Sequence, residues 1–232
     1  MDNQEIILIK ELPLISILRG IRPEECLDIG FELFNLGFRI IEIPLNSPEA
    51  FKSIEKLVLK FKDEVIIGAG TIFNFKELQT LFDAGGKLAV MPHVDIKIIE
   101  MAKKLNLICF PGVSTPTEAI SALKAGADGL KIFPAEMITP EILKSWKPIL
   151  PENTMIFPVG GIKPETIESY VLAGATGFGI GSALYHPGKS ILEIVEAAKF
   201  SFASLANYSE PSRARPRQRF AWQSRRETDP WP

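Results

Sequence analysis

Short apolar runs alternate with longer amphipathic ones eight times along this chain, and that alternation constrains the fold more than any other feature. The expected strands are Leu14–Leu18, Phe38–Ile43, Val65–Ala69, Lys87–Met91, Leu107–Phe110, Gly129–Phe133, Met155–Pro158 and Gly177–Ile180. Helical patterns fall at 23–36, 48–62, 74–84, 95–104, 115–125, 139–149, 163–173 and 188–205, with a further helix expected near 3–10. Pro23, Pro48, Pro116, Pro140 and Pro164 each stand where a helix should begin, and there a missing N–H has no intrahelical acceptor to lose. Gly37, Gly85, Gly126 and Gly174 each follow a helical run, as glycines do where a helix ends in a left-handed turn. Strand-then-helix units with short connections wind right-handedly into a parallel sheet. Eight of them close naturally, so the expected architecture is α/β: a single (β/α)8 TIM barrel with an extra N-terminal helix. An open, doubly wound sheet is the competing arrangement. Against it, Leu18-Arg19-Gly20 leads straight from the first strand toward a helix, without a glycine-rich dinucleotide fingerprint.

Composition removes several function classes. The 232 residues are 46% hydrophobic and 23% charged, which suits one large core. A net charge of −2 gives no overall attraction to nucleic acid or to a membrane surface. Cys26 and Cys109 are far apart and form no CxxC pair, so neither a disulfide framework nor a zinc site is expected. That pattern fits a reducing, cytoplasmic setting. The start, Met1-Asp2-Asn3-Gln4-Glu5, is acidic and unlike a secretory signal, and no apolar run approaches the roughly 18 residues of a membrane span. The charge is uneven, however. Residues 210–232 hold six of the nine arginines against Glu210, Glu227 and Asp229, a balance of +3, so the rest of the chain carries −5. With Pro211, Pro216, Pro230 and Pro232 and no apolar period, residues 208–232 are expected to be a basic tail, disordered or foreign to the domain, beyond a barrel spanning 1–207.

Functional groups in a barrel of this kind belong at the C-terminal ends of its strands. Period-two alternation turns Leu130 and Ile132 toward the helices and Lys131 into the barrel. Desolvation there lowers a lysine's pKa and frees the amine as a nucleophile; the bland alternative is a structural lysine paired with an internal carboxylate. Glu42 shares parity with Phe38 and Ile40, while Ile41 and Ile43 face the helices, so a carboxylate also points inward, able to pair with the lysine or to move protons. Arg19 closes the first strand and can fork onto a carboxylate or phosphate, or make a rim ion pair. Thr71 ends the third strand in Gly68-Ala69-Gly70-Thr71. Gly160-Gly161 and Gly179-Ile180-Gly181-Ser182 end the last two strands, where backbone N–H groups can cradle a phosphate or simply make tight turns. His93 and His186 lack a second ligand at metal-like spacing, and His93 is expected to pack or hydrogen-bond at the rim.

Taken in order, Leu18-Arg19-Gly20-Ile21, Glu42-Ile43-Pro44-Leu45-Asn46-Ser47-Pro48, Gly68-Ala69-Gly70-Thr71, Phe110-Pro111-Gly112, Leu130-Lys131-Ile132-Phe133-Pro134, Val159-Gly160-Gly161 and Gly179-Ile180-Gly181-Ser182 resemble the 2-keto-3-deoxy-6-phosphogluconate aldolase family over about residues 12–205. The resemblance implies a class I aldolase with Lys131 as the Schiff-base lysine and Glu42 as its acid/base. It implies that Arg19 and Thr71 hold the pyruvyl carboxylate, that Pro92 lines the site, and that Gly160, Gly161, Gly181 and Ser182 bind the phosphate. A homotrimer and a phosphorylated keto-acid substrate are implied too, with no metal or organic cofactor. Leu45-Asn46-Ser47-Pro48 and Val159 look like the 6-phosphogalactonate branch; the gluconate branch more often carries a threonine in place of Val159. The two substrates are C4 epimers, and a lost hydroxyl contact there is worth about 1 kcal/mol. Two other classes compete: a phosphate-binding isomerase or epimerase, for which the strand ends lack a carboxylate pair, and a non-catalytic scaffold or a nucleic-acid binder acting through the tail.

Overall fold

The computed structural model describes residues 3–209, with side chains over 4–205. The expected strand and helix alternation is present. In chain order the elements are α1 (Asn3–Glu11), β1 (Leu14–Ile17), α2 (Cys26–Asn35), β2 (Ile40–Pro44), α3 (Ala50–Phe61), β3 (Ile66–Gly70), α4 (Phe75–Asp83), β4 (Leu88–Val90), α5 (Ile96–Lys104), β5 (Ile108–Phe110), β6 (Gly112–Val113), α6 (Pro116–Lys124), β7 (Gly129–Ile132), α7 (Pro140–Trp146), β8 (Met155–Pro158), α8 (Pro164–Ala173), β9 (Phe178–Ile180) and α9 (Ile191–Ser209). Pro116, Pro140 and Pro164 are the first residues of their helices, whereas the chain makes turns after Pro23 and Pro48 before α2 and α3 begin. Thr115 and Glu118 close a reciprocal capping box at the start of α6, which satisfies two otherwise orphaned N–H groups. All four glycines expected at helix ends have positive φ. Helix α9 runs through Tyr208 and Ser209, past the expected domain boundary at 207; the rest of the basic tail, 210–232, lies outside the described residues.

Every strand pairing is parallel. The strands form a curled sheet in two segments, of order β5-β4-β3-β2-β1-β9 and β6-β7-β8. The expected fifth strand, Leu107–Phe110, is present as β5, and a further short strand, β6, follows it beyond Pro111, which has no N–H to give a ladder. The segments remain linked on both sides. Pro111 O accepts from Lys131 N at 2.9 Å, and Val159, just past β8, bridges Gly179 of β9.

Side chains divide by strand parity into two cores. Ile15, Ile17, Ile40, Ile66, Leu88, Val90, Ile108, Phe110, Phe157 and Val159 fill the inside of the curl, joined by Ile9 of α1. Leu14, Ile41, Ile43, Ile67, Ala89, Cys109, Leu130, Ile132 and Phe178 face the helices, as the alternation predicts. Phe38 is the exception to the expected parity: it precedes β2, packs in the outer core and does not share the inward face of Ile40 and Glu42. Burying aliphatic and aromatic side chains of this size stabilises by about 1.5–3 kcal/mol each. Helix α1 supplies the inner core's cover at one end, through Ile9 and the partly buried Leu8. No helix among the described residues is long and apolar enough to cross a membrane.

Candidate active site

Two ionisable groups break the apolar lining of the curl. β7 reads Gly129-Leu130-Lys131-Ile132, and its register sets Lys131 between Gly112 and Phe157. Lys131 is 4% exposed, and its Nζ lies 4.6 Å from the centre of the Phe133 ring, a cation–π distance. β2 carries Glu42, 1% exposed and paired in register with Ile17 on one side and Gly68 on the other. The carboxyl group reaches over β3 beside Gly70, where a Cβ would collide with Oε1; glycine is what admits it. Oε1 is buried with no hydrogen-bond partner among the described residues. Such an atom is destabilising unless a ligand or a proton satisfies it.

Burial acts oppositely on the two charges. It lowers the Lys131 ammonium below its ordinary 10.5, with Glu42 pulling back up and Arg19 pushing further down. It raises the Glu42 carboxyl above its ordinary 4.5, with Lys131 and then Arg19 pulling back down. Both groups therefore lean toward their neutral forms while remaining electrostatically linked, the arrangement expected of a nucleophilic amine beside a proton carrier.

Arg19 sits two residues past β1 and is exposed; Nη1 donates to Asn46 Oδ1 at 2.7 Å. Gly20 N donates to Ser47 Oγ at 2.8 Å, so the loops after β1 and β2 are tied together at two points. Thr71 follows Gly70 directly and holds φ at 64°, a left-handed angle that a β-branched residue adopts only under strain. Pro92 follows β4, and its carbonyl carbon lies 2.6 Å from the position a Cβ on Gly112 would take, so the ends of β4 and β6 approach closely.

The glycine turns sit at the ends of β8 and β9. Val159 N donates to Ile132 O at 2.9 Å and Val159 O accepts from Ala135 N at 2.9 Å, so the residue beyond β8 is laced to the loop that follows Lys131. Its side chain joins the inner core and stands against Gly179, 2.7 Å from where a Cβ would be. Gly160 and Gly161 both have positive φ, at 100° and 62°. Gly181 faces open space, and Ser182 is exposed beside it. His93 stacks on Phe73 with ring centres 5.5 Å apart, the packing role expected at the rim, and its Nδ1 is buried without a partner among the described residues. His186 is exposed, and its Nδ1 lies 3.1 Å from Pro187 O. No cluster of three or more metal-ligating side chains occurs among the described residues.

Sequence reasoning missed Phe133 beneath the lysine, Gly70 beside the carboxyl group and Asn46 holding Arg19. Phe133 is two residues from Lys131, so strand parity carries a signal for it; Gly70 and Asn46 have no local signal, because each acts on a residue that only the parallel pairing or a neighbouring loop brings close.

The chain is similar to known aldolases. The family model described as "Aldolase: KDPG and KHG aldolase" matches residues 6–197. The chain is 42% identical over 198 residues to the "Probable 2-dehydro-3-deoxy-6-phosphogalactonate aldolase" of Rhizobium meliloti (strain 1021), covering 85% of this chain and 92% of that one. It is 40% identical over 188 residues to the 2-dehydro-3-deoxy-6-phosphogalactonate aldolase of Escherichia coli (strain K12), covering 81% and 92%. Identity to the KHG/KDPG aldolase of the same strain is 27% over 161 residues, covering 68% and 74%. Among solved structures, native KDPGal superposes with a TM-score of 0.83 at 38% identity, covering 85% of this chain and 96% of that one. A KDPG aldolase from Legionella pneumophila, with pyruvate captured as a covalent carbinolamine intermediate, gives 0.75 at 25% identity, covering 85% and 96%.

Proposed function

Because the chain belongs to the KDPG and KHG aldolase family, and is therefore a carbon–carbon lyase, we propose that it is a class I aldolase cleaving 2-dehydro-3-deoxy-6-phosphogalactonate to pyruvate and glyceraldehyde 3-phosphate. The observation that carries the mechanism is Lys131 itself, a lysine 4% exposed whose ammonium form burial disfavours. Two relatives named for the galactonate substrate at 42% and 40% identity, against 27% for a KHG/KDPG aldolase, support the choice of substrate.

Neutral Lys131 attacks the C2 ketone, and the protonated Glu42 carboxyl gives its proton to the carbinolamine hydroxyl, which leaves as water; a cationic iminium and a Glu42 carboxylate remain. Glu42, as carboxylate, takes the proton of the C4 hydroxyl, directly or through a water. The C3–C4 bond breaks, its electron pair moving toward the iminium nitrogen to form an enamine, and glyceraldehyde 3-phosphate leaves as the aldehyde. Glu42 returns the proton to C3, and water hydrolyses the iminium to free pyruvate and the neutral lysine, the released proton restoring the Glu42 carboxyl group. The iminium is the electron sink, so the cycle calls for no metal or organic cofactor. Arg19 and Thr71 take the substrate carboxylate, Pro92 lines that end, and Gly160, Gly161, Gly181 and Ser182 take the phosphate. Val159 is the epimer-selecting residue: an apolar side chain at the C4 end offers no hydroxyl to the epimeric configuration.

We read the two sheet segments as one closed (β/α)8 barrel, joined at Pro111 and at the Val159–Gly179 bridge. The aldolase unit then ends with α9 and the basic segment lies beyond it. The buried free thiols of Cys26 and Cys109 suit a cytoplasmic setting. We assign a homotrimer by family resemblance, and sedimentation at three times the 25.7 kDa chain mass would support it.

Trapping with pyruvate and borohydride, followed by peptide mass mapping, tests the mechanism. A reduced adduct is expected on Lys131, and its absence from folded protein would sink the reading. Assaying both C4 epimers tests the substrate: the galactonate form should have the higher kcat/KM, and a preference for the gluconate form would reverse the assignment.

A further inference from the structure

Glu136 lies in the loop between β7 and α7, and that loop's backbone is tightly braced. Ala135 N donates to Val159 O at 2.9 Å, Ile138 N to Ala135 O at 3.1 Å, and the Tyr170 hydroxyl of α8 reaches Ala135 O at 2.7 Å and Ile138 O at 3.1 Å. This bracing holds the Glu136 side chain across the Gly160–Gly161 turn. A Cβ on Gly161 would lie 2.6 Å from Cγ, Cδ and Oε1 of Glu136, and one on Gly160 would lie 2.8 Å from Oε2. The carboxylate makes no hydrogen bond or ion pair among the described residues, and its side chain is exposed. Successive backbone N–H groups in a turn can form a concavity that favours an anion. An unpaired carboxylate thus stands at the turn assigned above to the substrate's phosphate.

We propose that Glu136 competes with the phosphate for the Gly160–Gly161 turn, swinging into solvent when a phosphate monoester binds and returning as the phosphorylated product leaves. The inference rests on the phosphate reading of that turn. Two like charges about 4 Å apart repel by about 1 kcal/mol even in bulk water, and by more at a protein surface. The substrate phosphate therefore binds more weakly than the glycine turn alone would allow, and glyceraldehyde 3-phosphate leaves faster. The braced backbone confines the movement to the side chain, so the keto-acid end is left in place.

The test is a titration of the full chain with inorganic phosphate at low ionic strength, followed by calorimetry. Glu136→Ala and Glu136→Gln are compared with the parent after thermal melting has verified their folding. Phosphate should bind about 3- to 10-fold more tightly to the variants, and the gain should shrink as salt is added. Parent-like or weaker phosphate affinity in both variants overturns the proposal, as does a parent and variants that bind no phosphate at all. The borohydride adduct of the parent on Lys131 reports the aldolase reading separately, so the two can fail independently.

Discussion

Lys131 and Glu42 are each held almost out of water, and each is shifted by burial toward its neutral form. That makes their chemistry depend on proton state in a definite direction. Lys131→Arg should fold and give neither turnover nor a pyruvate adduct, since a guanidinium stays protonated and cannot form an imine; mass mapping and an activity assay check both. Glu42→Gln should slow cleavage by about 10²-fold or more through loss of the proton carrier. It should also move the pH dependence of adduct formation. The carboxylate favours the ammonium form of Lys131, so removing it lets the amine deprotonate at lower pH. Borohydride inactivation in the presence of pyruvate should therefore reach half its limiting rate at lower pH in the variant than in the parent. A midpoint that stayed or rose would contradict the coupling.

At the scale of elements, the pairing of β2 with β3 determines whether the carboxyl group has room. Register places Pro44 opposite Gly70, and the Glu42 side chain fills the space a Cβ on Gly70 would need. Gly70→Ala should displace the carboxyl group and lower turnover by an order of magnitude or more, with the fold retained because Gly70 has no left-handed φ to lose. Circular dichroism and the cleavage rate together check this. The strands and helices were legible in the sequence because apolar periodicity, proline starts and glycine stops agreed locally. The inward aim of Lys131 and Glu42 was legible for the same reason, as strand parity is a local property. Phe38 departs from the expected parity because that parity was extended back before the start of β2. The short β6 lies outside every expected run, because two residues beyond a proline carry too little periodicity to read as a strand. Gly70 was visible only as part of a motif, and Asn46 as part of a phrase; what each touches is set by pairing between segments far apart in sequence. The same is true of Glu136, whose neighbours at Gly160 and Gly161 belong to the next strand–helix unit.

At the scale of the whole molecule, the inner core is covered by Ile9 of α1 and holds the buried Lys131 and Glu42 among its apolar side chains. Its cover should matter to stability and not to chemistry. Ile9→Ala removes a side chain that is 4% exposed in that core, so it should cost about 2–4 kcal/mol in denaturant unfolding and leave kcat unchanged at temperatures where the variant is folded. The charged pair should do the reverse. Below the ordinary carboxyl value of 4.5 Glu42 is protonated in both folded and unfolded states and exerts no pH-linked penalty. As pH rises through the window between 4.5 and the raised folded value, the unfolded state ionises first, so folding loses stability and the full penalty stands above that window. Lys131 has the opposite slope: its penalty is present below its lowered folded value and is relieved as pH approaches 10.5. Glu42→Gln isolates the first effect while keeping the side chain's shape. Its stability advantage over the parent in denaturant midpoints should grow from pH 4 toward neutrality, while its activity stays far below the parent's. An advantage that is constant across that range would mean that Glu42 ionises as easily inside the fold as in the unfolded chain, and burial would then be the wrong account of its pKa.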